Sequence, residues 1–370
     1  MCWVLNKLLI RYILNGRSFT AMTWLKFYYL GDSVAPFIVT MLSQHGHSIA
    51  MKKVLVLIKY CKNLVVRPPV MIDTGAIQGL LSQATTSEMP DGHAAKLTHL
   101  LEAIMTQSPD ASVGEALPLV TSVIPAGTIT GRDTTKGGSL AAVPKAYWHQ
   151  LLSPPIRSSY VLLDYSSQEP VITAVKAQDK NILALYEQGD LYDALNSQVT
   201  NGELSRDRFK DYYIRQFYGQ SPERVSEQLG ISTVDAVRWS KKLKAITKLL
   251  NKFLDKQACN ARSVGEIQSL DWRMAVNSET NYLSLRNWPI QACGADILHR
   301  GCLALSASGI PVLLTNHDSF LIQVNNQTAQ EEISLAVQLL RDASADVLDG
   351  YKLKVKVELR VKTKLGENDE

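Results

Sequence analysis

Two apolar runs in this chain each end by pushing an aspartate out of the core. In "YVLLDYSSQEPVITAVK" (160–176), Val161-Leu162-Leu163 leads to Asp164, and Glu169 follows five residues later. In "IPVLLTNHDSFLIQV" (310–324), apolar residues flank the polar break Asn316-His317-Asp318-Ser319. Short apolar runs of this kind read as buried strands. A two-residue hairpin turn favours Asn-Gly or Asp-Gly, because both central residues then need positive φ. His-Asp serves that need poorly. Asp318 also suits an Asx turn, and Ser167 with Pro170 suits a helix start, the serine as cap and the proline in the first turn. Those local roles account for the serines and the proline. They leave Asp164 and Glu169 unexplained.

If the two strands are sheet neighbours, Asp164 and Asp318 lie side by side and repel. Hard divalent cations remove that repulsion, since Mg²⁺ favours carboxylate oxygens completed by water and phosphate. Two such ions about 4 Å apart clamp the attacking and leaving oxygens of an in-line displacement at phosphorus. The expected cofactor is therefore Mg²⁺, as two ions on Asp164 and Asp318.

A basic element lies between the two runs. In "RDRFKDYYIRQFYGQ" (206–220), Arg206, Lys210, Ile214 and Tyr218 recur every fourth residue and so share one helix face. Arg206 and Lys210 are placed to grip a triphosphate, and Tyr218 closes the row just before Gly219. A solvated basic helix with its aromatics in the core gives the same spacing.

The rest of the chain supplies the frame. With 370 residues, 46% of them hydrophobic, it can bury a core divided into two or three lobes. The net charge is only +4, but residues 206–256 hold twelve Lys/Arg against six acids and residues 1–70 hold nine against one. Such patches suit a polyanion, although solvated helix faces look alike. Five cysteines without a C-x-x-C pair indicate neither a disulfide framework nor a zinc site, so a reducing compartment is expected. No membrane partner is expected, because no apolar run reaches the ~18 residues of a span. The basic start leaves organellar import and a true start at Met51 both open.

Short helices are expected over 1–68, a helix through Leu97, Leu100, Leu101 and Ile104, and a glycine-rich connector over 128–144. Two helices are expected over 168–200, helices over 205–256 broken at Gly219 and Gly230, a helix over 292–308 and another over 328–347. The last segment alternates, with Leu353, Val355, Val357, Leu359 and Val361 on one side and Lys354, Lys356, Glu358 and Arg360 on the other. That pattern predicts a half-buried strand at a sheet edge. Strands in separated pairs with helices inserted between them point to an α+β class.

These residues resemble family A DNA polymerases, the polymerase I type. "DYSSQE", "R-x-x-x-K-x-x-x-I-x-x-x-YG" and "HDS" stand in the order and at about the distances of that family's motifs A, B and C. "TGR" (130–132), "NWPIQACGADIL" (287–298) and "LKVKVELRVK" resemble three further signatures. The doubled serine is more similar to phage- and plasmid-borne members. Ser319 stands where the family usually has a second acid, and Ile214 where it usually has an aromatic.

The resemblance implies a right-hand polymerase fold with an antiparallel palm sheet over 126–180 and 286–370, helical fingers over 181–285, and a helical, partly thumb-like region over 1–125. It implies a template-directed DNA polymerase whose partners are DNA primer–template and dNTPs, in the cytoplasm of a bacterial or phage-infected cell. Asp164 and Asp318 would hold metal, with Lys210 also a proton donor to pyrophosphate. Arg206 and Lys210 would bind the triphosphate, and Ile214, Tyr218 and Glu169 would surround the nucleotide, Glu169 against its sugar. Tyr218 would stack near the template–primer terminus. Arg132, Gln291 and His317 would hold the primer terminus. No D-x-E pair precedes residue 125, so proofreading is expected to be absent. Two rival readings share many of these residues: a single-subunit RNA polymerase-like enzyme, and a degenerate remnant that binds nucleic acid without catalysis.

Overall fold

The computed structural model describes residues 51–363 except 66, 85–88, 91 and 271. The short helices expected before residue 51 lie outside the described residues. Helix α1 (Met51–Val65) contains the apolar run Val54–Ile58 and buries Leu57 and Tyr60. After Pro68-Pro69, strand β1 (Val70–Asp73) begins an antiparallel pair that β2 (Ala116–Leu119) completes. Helices α2 (Thr74–Ala84) and α3 (His93–Gln107) fill the interval, and Leu97, Leu100 and Ile104 share the buried face of α3. The connector expected over 128–144 is partly strand: β3 (Ser122–Ile124) pairs with β4 (Thr134–Lys136). Two single 3₁₀ turns and a short helix, α4 (Trp148–Leu151), lead into the central sheet.

Strand β5 (Ser158–Tyr165) is buried on both faces. Val161, Leu163 and Tyr165 pack into one core cluster, Tyr160 and Leu162 into another, which is why its sequence is apolar without alternating. Fully burying each such side chain contributes roughly 1.5–3 kcal/mol. The two helices expected over 168–200 are three: α5 (Gln168–Ala177), α6 (Lys180–Gln188) and α7 (Leu191–Thr200). Gln178 takes a left-handed conformation (φ +55°) and Asp179 and Asp190 cap the next two helices, so each break has a local cause. Next come α8 (Arg206–Phe217), α9 (Pro222–Leu229), α10 (Thr233–Ile246) and α11 (Lys248–Val264). Gly219 (φ +85°) and Gly230 (φ +60°) stand at the expected interruptions. A side chain at 219 would also collide with Leu283, 2.6 Å from the position its Cβ would take.

The hairpin of β6 (Glu266–Ser269) and β7 (Trp272–Ala275) had no sequence signal beyond Trp272. Helix α12 (Tyr282–Ala307) starts ten residues before the expected Ala292. Pro289 lies inside it, where a proline removes one helical hydrogen bond. Here Asn281 caps the helix and the flanking Trp288 and Ile290 are buried. Strands β8 (Val312–Asn316) and β9 (Ser319–Asn325), helix α13 (Ala329–Ala345) and strand β10 (Val355–Lys362) complete the fold.

The central sheet has the order β10-β5-β9-β8, antiparallel throughout. β10 lies at its edge, as its lysines suggested. The expected strict alternation fails at Val357, which is 48% exposed, because a register shift between Val357 and Leu359 turns the strand. Helices α12 and α13 cover one face of the sheet. The α+β class is the observed one. Among the described residues no helix is long and apolar enough to cross a membrane.

Candidate active site

The sheet register brings the two aspartates together. Asp164 is paired across β5 and β9 with Ser319, and the Tyr165 N–H donates to the Asp318 carbonyl at 3.2 Å. Asp164 is only 8% exposed. Burial raises the pKa of Asp318 most, then the neighbouring Asp164, while Lys145 and Lys210 oppose the shift. Burial likewise raises Asp164 against the pull of Lys145, with Glu358 adding to the rise and Lys356 and Lys210 opposing it. The Lys145 ammonium lies 3.7 Å from Asp164 Oδ1 and the Lys356 ammonium 3.6 Å from Oδ2. Glu358 holds Lys145 at 2.5 Å.

Two adjoining carboxylates that resist ionising together form a donor set suited to a hard divalent cation. Among the described residues no group of three or more His, Cys, Asp or Glu side chains could hold a metal ion. A bound ion would therefore complete its shell with water and ligand oxygens, as Mg²⁺ commonly does.

The hairpin that carries Asp318 corrects one expectation. Of its two central residues only His317 takes a positive φ (+55°). Non-glycine residues rarely adopt that conformation, at roughly 1–3 kcal/mol. Burial, then Arg132, lowers the His317 pKa. Ser319 donates its hydroxyl to the Asn316 carbonyl at 2.9 Å and so closes the turn.

A second group forms around Glu169. Ser167, expected to cap α5, has φ +50° and makes no side-chain cap bond. Its hydroxyl instead meets Tyr192. Glu169 lies in the first turn, with Pro170 beside it. It pairs with the Arg132 guanidinium and accepts a hydrogen bond from the Tyr218 hydroxyl, which in turn accepts one from Gln291 Nε2 at 3.2 Å. Burial, then Glu169, raises the Tyr218 pKa. Four residues from four distant segments thus share one network.

Arg132 sits on a tight turn. Gly131 (φ +75°) donates its N–H to the Thr128 carbonyl, and the Arg132 N–H donates to Thr128 Oγ1, both at 3.0 Å. The indole N–H groups of Trp272 and Trp288 both donate to the Ile129 carbonyl, at 3.2 and 2.9 Å.

On α8, Arg206 and Lys210 flank the Tyr192 ring at 5.6 and 5.9 Å. The charge of Lys210 is felt by both aspartates. Arg206 is turned to Asp190 (2.7 Å) and Asp207 (2.9 Å). Ile214 is half-buried against the main core. Arg132, Tyr218, Gln291 and His317 line a cleft of about 750 Å³ with Asn287 and Trp288.

Three features escaped the sequence reading. Tyr192 had no signal apart from its place two residues after a capping aspartate. Lys145 had no signal, and Lys356 read only as one of the polar residues on the outer side of the last strand. The third is a buried polar cluster centred on Asp133, the residue after Arg132. Asp133 accepts hydrogen bonds from the Tyr60 hydroxyl and the Ala126 N–H (2.9 Å), and lies 3.1 Å from His299 Nε2. Burial would raise its pKa, yet His299, Tyr60 and the amide together lower it. Arg67 joins from outside, donating to Tyr60 (3.4 Å), Thr315 (3.4 Å) and Cys302 Sγ (3.2 Å). An aspartate directly after TGR was the only available hint.

The site is of the two-carboxylate kind, built on neighbouring ends of an antiparallel sheet. Residues 92–370 match the family model described as DNA polymerase family A, and the chain belongs to that family. It is 24% identical over 263 residues to the thermostable DNA polymerase I of Thermus thermophilus, covering 63% of this chain and 30% of that one. It is 25% identical over 191 residues to the DNA polymerase of Mycobacterium phage L5, covering 51% and 32%. The chain thus spans about a third of the length of these curated relatives. The solved structure of the POL domain of Pol1 from M. smegmatis, in complex with DNA primer-template and dNTP, superposes with a TM-score of 0.67 at 18% identity. It covers 82% of this chain and 69% of that one, a likeness of fold.

Proposed function

We propose that this chain is a template-directed DNA polymerase that adds deoxynucleotides to a primer 3′ end. The observation that carries the reading is the adjacency of Asp164 and Asp318 within the field of Lys210. Family membership and the fold likeness support it. DNA primer–template and dNTPs are the proposed partners. Residues 126–180 and 286–370 would be palm, 181–285 fingers and 1–125 a helical, partly thumb-like region.

Asp164 and Asp318 would hold two Mg²⁺ ions, which when bound activate the attacking oxygen and neutralise charge on the leaving one. The remaining work falls to side chains. Lys210 neutralises the triphosphate and is placed to protonate the departing pyrophosphate. Arg206 joins it by exchanging Asp190 and Asp207 for phosphate oxygens. Glu169, fixed by Arg132 and Tyr218, closes the space where a ribose 2′-hydroxyl would sit, and Ile214 forms the apolar wall. Arg132, Gln291 and His317 hold the primer terminus in the cleft, and Tyr218 is placed to stack on the template–primer end. We propose that residues 1–125 supply no proofreading nuclease, since no D-x-E pair occurs among them.

Primer extension with Mg²⁺, comparing dNTPs with rNTPs, tests the reading. Extension with dNTPs that stops on chelation is the expected result. A preference for rNTPs, or none at all, would overturn it.

A further inference from the structure

Arg132 and Asp133 are neighbours in the chain with different partners. Arg132 pairs with Glu169, whereas the Asp133 side chain, 10% exposed, turns to Tyr60 and His299. Both carboxylate oxygens of Asp133 are engaged. Oδ1 accepts from the Ala126 N–H at 2.9 Å and lies 3.1 Å from His299 Nε2, and Oδ2 accepts from the Tyr60 hydroxyl. The bond to Ala126 closes residues 126–133 into a loop. Inside it the Thr128 N–H donates to the Arg132 carbonyl at 3.1 Å, while the Gly131 and Arg132 N–H groups both return to Thr128. Ala126 is buried with φ +48°, a conformation that residues other than glycine rarely adopt. At Gly127 a Cβ would stand 2.3 Å from Thr134 Oγ1, so the loop has no slack there. Asp133 fastens its end.

That fastening reaches three other elements. His299 sits on α12, the helix that also carries Gln291 to Tyr218. Tyr60 belongs to α1, and its ring centroid lies 4.4 Å from that of His299. Arg67, just past α1, donates to Tyr60 and to Thr315 on β8, the strand that leads into the His317-Asp318 turn. Well-packed apolar side chains would fill such a space without the cost of desolvating charge. What a satisfied polar cluster adds is one arrangement held against its alternatives. The elements it holds in register are those that bear Arg132, Gln291 and His317.

We propose that Asp133 is a positioning residue: held by His299 and Tyr60, it fixes the loop that presents Arg132, and so sets the guanidinium against Glu169 and the primer terminus. The place of Arg132 at that terminus rests on the polymerase reading. Asp133 acts through Arg132, because its own acceptor oxygens are taken up by protein groups. Displacing a positioning group by about 1 Å can cost about a hundredfold in rate. Asp133→Asn keeps the shape but offers one acceptor oxygen in place of two, so it loosens the loop without emptying the site. Tyr60→Phe removes a single hydroxyl from the cluster and leaves the ring.

The test is a double-mutant cycle on primers with matched and mismatched 3′ ends. Single-turnover extension with Mg²⁺ gives the rate, anisotropy without divalent metal gives binding, and thermal melting follows the fold. Asp133→Asn should slow extension of the matched primer by about ten- to a hundredfold, and of the mismatched primer much less. Tyr60→Phe should follow with a smaller loss. In the Arg132→Ala background, Asp133→Asn should change neither rate nor binding further, and the losses should not track melting temperature. Equal losses in both backgrounds, equal losses on both primers, or a parental rate in Asp133→Asn would overturn the proposal. A parent that extends neither primer would instead sink the polymerase reading. The metal-free cycle would then decide: a loss of affinity for the matched end that disappears in the Arg132→Ala background upholds the positioning role, and an additive loss overturns it.

Discussion

The Tyr218 hydroxyl donates to Glu169, a residue 49 positions earlier in the chain, while the other oxygen of the same carboxylate pairs with Arg132. Glu169 is thereby held from two sides, and a third residue, Gln291, steadies the tyrosine. A carboxylate fixed in this way can exclude a hydroxyl by its position, because it cannot swing aside.

Glu169→Ala should therefore raise ribonucleotide incorporation by on the order of 10–100-fold, the scale of one steric contact in a substrate pocket. It should also weaken dNTP use, since Arg132 and Tyr218 lose their shared partner. Tyr218→Phe should show a smaller change in the same direction. Competition between matched dNTP and rNTP measures both, and unchanged selectivity in Glu169→Ala would rule out the assignment.

Asp164→Asn or Asp318→Asn should lower turnover by at least about a hundredfold, the scale for removing one transition-state-stabilising group, while primer–template affinity persists. Near-parental extension by either variant would remove the two-aspartate reading.

The same pair predicts an unusual pH effect. Both aspartates are shifted upward, so the folded protein holds their protons more tightly than the unfolded chain. Their contribution to stability is then most favourable below the unfolded carboxylate value, about 3.9, and declines as pH rises through the folded values. Without metal, Asp318→Asn should melt above the parent at about pH 8, with the gap closing towards about pH 4. Mg²⁺ should raise the parent's melting temperature more at the higher pH and the variant's little. A variant that is less stable at alkaline pH would contradict the repulsion.

Lys210→Ala should reduce nucleotide use by about a hundredfold, with the primer–template Kd changing far less, because the charge of the lysine reaches both aspartates. Arg206→Ala should have a milder effect, since the arginine must first leave Asp190 and Asp207. Single-turnover titration against dNTP concentration separates the two. Equal losses of DNA and nucleotide binding would mean that α8 merely contacts DNA.

Asp133→Ala removes the centre of a buried polar cluster and leaves His299 and Tyr60 without that partner. Breaking a buried pair from one side costs about 3–5 kcal/mol. The exposed pair Lys352–Asp342 offers a control, where Asp342→Ala should leave stability nearly unchanged. Urea unfolding compares them. Similar losses for the two variants would show that the cluster adds no more than a surface ion pair.

Much of the site was legible because its parts are local. An unbroken apolar run over 160–163 before Asp164, a turn with His-Asp where glycine is favoured, and a four-residue spacing on α8 are all properties of neighbouring residues. Backbone periodicity converts them directly into faces and strand ends. The breaks at Gly219 and Gly230 belong to the same class, since left-handed conformations favour glycine. The start of α12 was misread for the opposite reason. Whether Pro289 breaks a helix depends on packing around Trp288 and Ile290, which no local rule contains.

What the amino-acid order determined was therefore which residues face where within each element: the two aspartates at strand ends, Glu169 in a first helical turn, and Arg206, Lys210 and Tyr218 on one helix. What only the tertiary structure decided was who meets whom. It paired Glu169 with Arg132 and Tyr218, turned Arg206 towards Asp190, set Lys145 and Lys356 against Asp164, and buried Asp133 with His299 and Tyr60. Asp133 and His299 lie 166 residues apart, and Lys356 lies farther still from Asp164. Contacts over such separations are set by sheet register and helix packing, and a charged side chain carries no mark in its own sequence of the partner that will neutralise it.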